Sequence, residues 1–355
     1  MKAAVALASL AIAAALGYFL LRDNDSRAGA ASATSGETVD PNAGRKAGGD
    51  GLPAARQRTD SAIVAASHGT RLSSELRDFR SGRNLRALYE RLAALPSPTA
   101  EQQYVLADLI DKCGGYARNR EYLLKNGQVL APEQARSQFL ATLSDRDPDR
   151  AKRVAAFEHV ATGACLDFPE IKDANQRARA LREAAAAAGE PKARAWALQM
   201  EIASANKGSS RFTSSVTDEQ VAKMKDIVAT GDPLAMGMVM RNMFNVGLEN
   251  ASLRLAGTGA AVDGNALASA LELIACDDGA DCGADAQDVA RACAYQGQCQ
   301  AGNLHDLMLG YRLPAASAQV LAPYVEGLRR AQAGDWSYFA IVRAPSASSV
   351  GMRSQ

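Results

Sequence analysis

Six cysteines are the residues of this chain whose spacing indicates its chemistry most directly. They are Cys113, Cys165, Cys276, Cys282, Cys293 and Cys299. An even number of cysteines behind an export signal favours disulfides over free thiols. A structural zinc site is the rival interpretation, but the C-x5-C spacing of the last four is longer than the usual C-x2–4-C, and an oxidising compartment disfavours it.

The last four cysteines predict local pairs. Cys276 and Cys293 are each expected to end a helix, and a short glycine-containing loop then carries Cys282 or Cys299. Because the Cα atoms of a disulfide lie roughly 4.4–6.8 Å apart, such a loop favours Cys276–Cys282 and Cys293–Cys299. The crossed pairs Cys276–Cys293 and Cys282–Cys299 stay open if the two helices cross steeply. The two upstream cysteines both lie on apolar helix faces and pair by elimination.

A methionine cluster is the most unusual local sequence. Met236, Met238, Met240 and Met243 fall within one predicted helix. Thioethers are soft ligands suited to Cu(I), so copper handling is one hypothesis. On a helix, however, Met236, Met240 and Met243 share one face beside Phe244, and a methionine stripe of this kind is typical of adaptable core packing.

Histidine chemistry has little support in the sequence. The chain holds only His68, His159 and His305, and none belongs to an H-E-x-x-H motif. The sequence contains neither a G-x-S-x-G nucleophile elbow nor a G-x-x-x-x-G-K-[ST] phosphate loop. We therefore predict no catalytic, cofactor-binding or metal-binding residue. The sequence does not decide whether the protein is an enzyme, but it favours a protein without catalytic activity.

Two near misses are interpreted as loops. Gly257–Val262 resembles a dinucleotide turn, but Val262 stands where glycine or alanine lets a helix pack closely. Asp277, Asp281 and Asp288 fit positions of a calcium loop whose essential glycine is replaced by Cys282. The first is expected to be a flexible loop and the second a solvated acidic loop.

Composition limits the class of protein. The 355 residues carry a formal charge of +1, and 47% of them are hydrophobic but only 5% aromatic. The core must therefore be mainly aliphatic. A near-neutral chain lacks the basic surface of a general nucleic-acid binder, so we expect no nucleic-acid partner. The negative mean hydropathy argues against a polytopic membrane protein.

The first apolar segment predicts export. Residues 3–21 contain no charge, and a helix of about nineteen residues nearly spans a bilayer core of about 30 Å. Bulky residues end this segment, which favours an uncleaved signal anchor over a cleaved signal peptide. Residues 22–55 are rich in Ala, Gly, Ser, Asp and Arg and are expected to form a disordered tether. The expected location is the bacterial inner membrane, single-pass, with the remainder in the periplasm; a cleaved periplasmic or secreted form is the alternative.

Residues 56–342 show the period of helices. Apolar residues recur three and four positions apart, and strand-like alternation is nearly absent, with Ser252–Leu255 the best candidate. Glycine, an acid and proline recur 42 residues apart, from Gly189 and from Gly231, which predicts helix–turn–helix joints, and Gly334 begins a third, partial copy. A subdivision near 250–264 is one option, and 343–355 is expected to be a flexible tail.

The segment that begins Ala275-Cys-Asp-Asp-Gly-Ala-Asp-Cys282 carries a family resemblance. Its pattern, C-D-x-G-x-D-C followed by a cysteine, by G-x-C and by Gly334-Asp-Trp336, resembles uncharacterised exported proteobacterial proteins over roughly residues 265–341. It is also locally similar to the cysteine-rich Sel1-like helical repeats, although its cysteine spacing is shorter and the repeat's glycine, alanine and tyrosine pattern is incomplete. The resemblance implies an exported helical protein and carries no activity.

The sequence thus predicts an all-α fold of disulfide-stapled helical hairpins, with an irregular helical-repeat array as one arrangement, behind the segment at 3–21. The predicted function is a non-enzymatic envelope protein that binds or scaffolds a protein or peptide partner. A copper-handling periplasmic protein and an enzyme with a dispersed site are the alternatives. No cofactor is predicted.

Fractionation tests the predicted location. Full-length protein is expected in the membrane fraction, with residues 22–55 cleaved by protease added from the periplasmic side. Recovery from the cytosol would contradict export. A mature N-terminus near Thr34 would instead support the cleaved alternative, because Ala31-Ser-Ala33 is the nearest small-residue site.

Overall fold

A computed structural model describes five stretches of the chain: 72–127, 129–160, 164–206, 215–245 and 251–343, with only the backbone described at 241–245 and 343. All of them belong to one compact unit, residues 65–355. The predicted anchor and tether, His68 and nearly all of the predicted tail lie outside the described residues.

The described residues form fourteen α-helices, one π-helical segment and one two-stranded sheet. The α-helices are α1 (Ser74–Ser81), α2 (Leu85–Ala93), α3 (Ala100–Lys125), α4 (Pro132–Thr142), α5 (Arg150–His159), α6 (Ala174–Ala187), α7 (Pro191–Ala205), α8 (Asp218–Val228), α9 (Pro233–Asn245), α10 (Gly264–Asp277), α11 (Gln287–Gln296), α12 (Leu304–Leu307), α13 (Ala315–Gln319) and α14 (Leu321–Gln332). The π-helical segment is Met308–Arg312, and the strands are β1 (Ala251–Leu255) and β2 (Phe339–Arg343). The predicted all-α class is confirmed.

Local signals explain where several helices begin and end. Both predicted joints are present, since Gly189 and Gly231 adopt left-handed φ angles of +88° and +76°, which suit glycine. Pro191 and Pro233 are then the first residues of α7 and α9, where a missing N–H costs nothing. The predicted capping box at Thr217 starts α8. In these places nearest-neighbour chemistry was sufficient to predict structure.

The sheet is the part of the fold that local patterns predict least well. The predicted strand lies within β1, which pairs antiparallel with β2 and places Leu253 opposite Ile341. Interpreting Gly334 as a third helix joint is therefore wrong, because this glycine leads into β2. Asp335 accepts a hydrogen bond from the Ser337 amide at 2.9 Å and closes a turn instead of starting a helix. The backbone of β2 finds its partners in β1, far earlier in the chain.

Two large apolar cores hold the helices together. The C-terminal core is built by α7–α10, α14 and the sheet, and it buries Met236, Ile274 and Leu328. The N-terminal core is built by α1–α3, the start of α6 and the segment before it, and it includes Leu109 and Phe168. Both are mainly aliphatic, as the low aromatic content predicts.

Three disulfides connect the six cysteines: Cys113–Cys165, Cys276–Cys282 and Cys293–Cys299. The three Cα–Cα distances are 5.0, 5.7 and 4.2 Å. These are the pairs that the sequence analysis favours. The first lies inside the N-terminal core and ties α3 to the segment that precedes α6. The other two each close a short loop directly after α10 or at the end of α11.

The methionine cluster is part of the C-terminal core. Met236 and Met240 are fully buried there, and Met238 is partly buried against it. The side chain of Met243 lies outside the described residues. Core packing is the interpretation of Met236 and Met240 that their burial supports. Among the described residues, no helix combines the length and the apolar character needed to cross a bilayer.

Removing one disulfide at a time, by replacing both of its cysteines, is expected to show that the long-range disulfide stabilises the protein more than a short-range one. Cys113→Ala/Cys165→Ala opens a link with a sequence separation of 52, whereas Cys293→Ala/Cys299→Ala opens one with a separation of 6. Since a longer loop restrains the unfolded chain more, the free energy of unfolding should fall by about 4 kcal/mol in the first variant and about 2 kcal/mol in the second. Urea unfolding of both variants measures the difference, and the reverse order would contradict it.

Met240→Ala is expected to lower the free energy of unfolding by about 2–5 kcal/mol, because it opens a cavity in a fully packed core. Met200→Ala on α7 is the matched control, since that side chain is 45% exposed and its loss should change stability by no more than about 0.5 kcal/mol. Equal effects in urea unfolding would contradict the buried position of Met240.

Candidate functional site

A cavity of about 240 Å³ lies where the two cores meet. Residues of α1, α3, α7, α9 and α10 surround it. Its apolar wall consists of Leu76, Phe79, Leu234, Met238, Leu271 and Ala275. Five polar side chains also line it: Arg80, Tyr104, Asp108, Lys192 and Glu272. Apolar walls with a few convergent polar groups are the usual composition of a ligand site.

Gly237 in the interior of α9 leaves part of this space open. The residue is buried, yet a Cβ atom built on it would meet no heavy atom within 4 Å. Glycine costs a helix interior about 1 kcal/mol relative to alanine. Close packing does not require glycine here, because the space beside it is empty. The residue instead keeps the cavity at its full size.

Lys192 lies at one end of the cavity and is almost completely buried. Its Nζ lies 2.5 Å from Glu190 Oε1, 2.9 Å from Asp232 Oδ2 and 3.3 Å from Glu101 Oε1. The side chains of Glu190 and Asp232 are 3% and 6% exposed, whereas that of Glu101 is 35% exposed. The ring of Tyr104 lies 5.7 Å from the same ammonium group. One buried ammonium group therefore forms ion pairs with two buried carboxylates and with a third that is partly exposed.

The two helix joints explain how these carboxylates come together. Glu190 caps α7 by accepting a hydrogen bond from the Ala193 amide through Oε2 at 2.6 Å, and its Oε1 faces Lys192. Asp232 caps α9 by accepting from the Ala235 amide through Oδ1 at 2.8 Å, and its Oδ2 faces Lys192. Each cap residue thus divides its two oxygens between a helix N-terminus and the same ammonium group.

Burial and ion pairing act in opposite directions on these groups. Burial alone lowers the pKa of Lys192, but Asp232 and Glu190 outweigh that effect and hold the pKa above its ordinary value. Burial raises the pKa of Glu190, and Lys192 only partly compensates. Lys192 consequently stays charged at neutral pH, and removal of its charge would raise the pKa of Glu190 further.

A second ion pair borders the cavity on α3. Arg182 on α6 donates to Asp108 Oδ1 from Nε at 3.1 Å and from Nη2 at 2.5 Å, and it also pairs with Asp111. Its guanidinium lies 5.6 Å from the Trp196 ring. Burial raises the pKa of Asp108, while Arg182 and the Tyr104 hydroxyl stabilise its charged form. Arg182 therefore holds this wall residue in one orientation.

The histidines and the near-miss motifs lie away from this cavity. His159 ends α5 and lies 3.4 Å from Asp285, and His305 lies on the exposed side of α12. Gly257–Val262 forms the turn that follows β1. Among the residues that the structure describes, no group of three His, Cys, Asp or Glu side chains is arranged to hold a metal.

The acidic loop makes ion pairs within the protein. Asp277 and Asp278 pair with Arg329 on α14, at 3.4 and 3.0 Å. Asp281 accepts from the Gly283 amide at 3.3 Å, and Asp288 lies 3.9 Å from Arg312. Sequence analysis missed Lys192, Asp108 and Arg182 altogether. The repeated glycine–acid–proline joint was the one signal that pointed to Glu190 and Asp232. It predicted that both residues cap helices, but it did not predict that they meet at one site.

Comparison with protein-family models, with curated proteins and with solved structures gave no significant match. The geometry of the cavity and of its ion pairs is therefore what bears on the function.

Lys192→Met is expected to lower the free energy of unfolding by about 3–5 kcal/mol at pH 7, because it leaves Glu190 and Asp232 buried without their cation. Lys223→Met is the matched control: Lys223 also joins two carboxylates, Glu219 and Glu201, but it is 41% exposed, so its loss should cost less than about 1 kcal/mol. Urea unfolding compares the two variants.

The loss in Lys192→Met is also expected to shrink as the pH falls from 7 towards 4.5. A carboxylate whose folded pKa is raised contributes stability below its unfolded pKa and loses that contribution as the pH rises through the folded value. Burial already raises the pKa of Glu190, and removal of the ammonium raises it further. A loss that stayed constant over this range would contradict the assignment.

Proposed function

We propose that this protein is a non-enzymatic binding protein of the bacterial cell envelope. In this proposal residues 3–21 anchor it in the inner membrane, residues 22–55 form a tether, and the helical part binds a protein or peptide partner in the periplasm. Three disulfides support an oxidising location. A form cleaved after the signal would bind the same partner without the membrane.

The cavity between the two cores is the observation that carries this proposal. It combines an apolar wall with polar side chains whose positions are fixed by ion pairs to neighbouring helices. Preset polar groups favour binding because little side-chain entropy is lost when a ligand arrives. Its volume of about 240 Å³ suits one long side chain of a partner better than a large cofactor.

An enzyme is the second candidate, and one observation favours it. Asp108 and Glu272 line the same cavity, and two carboxylates are the minimum set for general acid–base chemistry. Asp108, however, receives two hydrogen bonds from Arg182, which stabilise its charged form. Because both hydrogen bonds go to Oδ1, Arg182 occupies an oxygen that proton exchange with a substrate would need. Copper handling has weaker support, since Met236 and Met240 are buried.

Filling the cavity is expected to abolish partner capture. In Gly237→Leu the new side chain enters the space beside α9, so crosslinking in intact cells should lose the adduct that the wild-type protein forms. Gly237→Ala should keep the adduct and stabilise the protein by about 1 kcal/mol, because alanine favours the helix and meets no neighbour.

Gly115→Leu is the matched control. Gly115 also lies within a helix and also has no atom within 4 Å of an added Cβ, but it is exposed on α3 and does not line the cavity. Its adduct should persist. Survival of the adduct in Gly237→Leu would overturn the proposed function. So would turnover of an ester, peptide, glycan or phosphate substrate, if Asp108→Asn abolished it.

A further inference from the structure

The charges around the cavity do not balance. Two cations, Lys192 and Arg182, are buried there, and they face three carboxylates with little exposure: Asp108, Glu190 and Asp232. Two further carboxylates, on Glu101 and Asp111, lie at 3.3 Å or closer to the same cations and are more exposed. Buried charges are weakly screened, so this excess of carboxylates favours a positively charged ligand at Asp108, the one of the five that lines the cavity.

Two further cations leave carboxylates in excess: Arg80 lines the cavity, and the Lys112 ammonium lies 5.0 Å from the ring of the wall residue Phe79. The ammonium of Lys192 is already shared among three carboxylates. Arg80 is an exposed residue of α1, and Glu272, of opposite charge, lines the cavity with it. An anionic ligand would therefore meet carboxylates whose partners are committed, whereas a cation would relieve the repulsion among them.

The walls set the shape of the ligand. Leu234, Met238 and Leu271 provide an apolar surface, and Asp108 and the Tyr104 hydroxyl supply acceptors near the buried ion pairs. Aromatic ring faces attract cations, and the Tyr104 ring already lies beside the ammonium of Lys192. An apolar stem that ends in a positive charge matches both parts of the site. Lysine and arginine side chains have this construction.

We propose that the cavity binds a lysine or arginine side chain of the partner, with its stem against Met238 and Leu271 and its charged end at Asp108. This inference rests on the proposed binding function and specifies the ligand. Open space beside Gly237 gives the stem room. The remainder of the partner would lie on the surface around the opening.

Three capped pentapeptides, Ala-Ala-X-Ala-Ala with X as lysine, norleucine or glutamate, test the inference. They are titrated into the full-length protein in detergent micelles, and the carbon-13 methyl signal of Met238 reports binding. Met236 and Met240 are buried in the core and serve as internal references for the fold. Norleucine has the lysine stem without the ammonium group, so the pair isolates the contribution of the charge.

The lysine peptide is expected to bind about tenfold to a hundredfold more tightly than the norleucine peptide, since hydrogen bonds to charged groups contribute about 1.5–3 kcal/mol. The glutamate peptide should be the weakest. The lysine preference should shrink in high salt and in Asp108→Asn, provided that the Met236 and Met240 signals keep their positions. A preference that neither change reduces would overturn the role of Asp108.

Other outcomes distinguish this inference from the proposed function. Equal binding of the lysine and norleucine peptides, lost in both cases in Gly237→Leu, would overturn the charge preference and leave the binding function standing. A shift with n-pentylamine but with none of the peptides would show that the occupant is a free amine, and it would overturn the inference. If no probe moves Met238 and Gly237→Leu retains its crosslinked adduct, both proposals fail.

Discussion

Pairing of Lys192 with both Glu190 and Asp232 is the interaction on which the centre of the molecule depends. A charged group with no partner is costly to bury, and the penalty is several kcal/mol for each ion even after relaxation. Here two carboxylates and one ammonium are withdrawn from water together, with all three side chains at 6% exposure or less. Both carboxylates can reach Lys192 only when the N-termini of α7 and α9 lie next to each other. The ion pairs therefore fix the relative position of these two helices.

This constraint reaches the cavity through the walls that the helices provide. Glu101 brings the start of α3 to the same ammonium group, and Arg182 ties the middle of α3 to α6 through Asp108. The first two turns of α9 then place Leu234, Gly237 and Met238 opposite α1 and α10. Two aliphatic cores packing against each other would tend to close such a space. Charged side chains line the remaining space beside these apolar walls, so polar and apolar groups face the same cavity.

Much of the fold follows from local sequence signals. The helical period, the capping box at Thr217 and the glycine–proline joints predict helices where the structure has them, because each signal acts within a few residues. The disulfides at Cys276 and Cys293 close loops short enough for spacing to indicate their partners. The strand pair illustrates the limit. Residues 339–343 include Phe339, Ile341 and Val342, which favour strands, but so short a run does not reveal that β1 supplies its hydrogen-bond partners.

The sequence by itself determined the all-α class, the aliphatic cores, the disulfide chemistry and the identity of Glu190 and Asp232 as helix caps. Each of these depends on composition or on neighbours along the chain. Only the tertiary structure decided that the two caps share one lysine, that Arg182 meets Asp108, and that a cavity remains between the cores. The physical reason is that Lys192 occupies the position that Leu234 holds in the second joint, and a sequence pattern cannot reveal which of two equivalent positions will be enclosed by carboxylates from other helices.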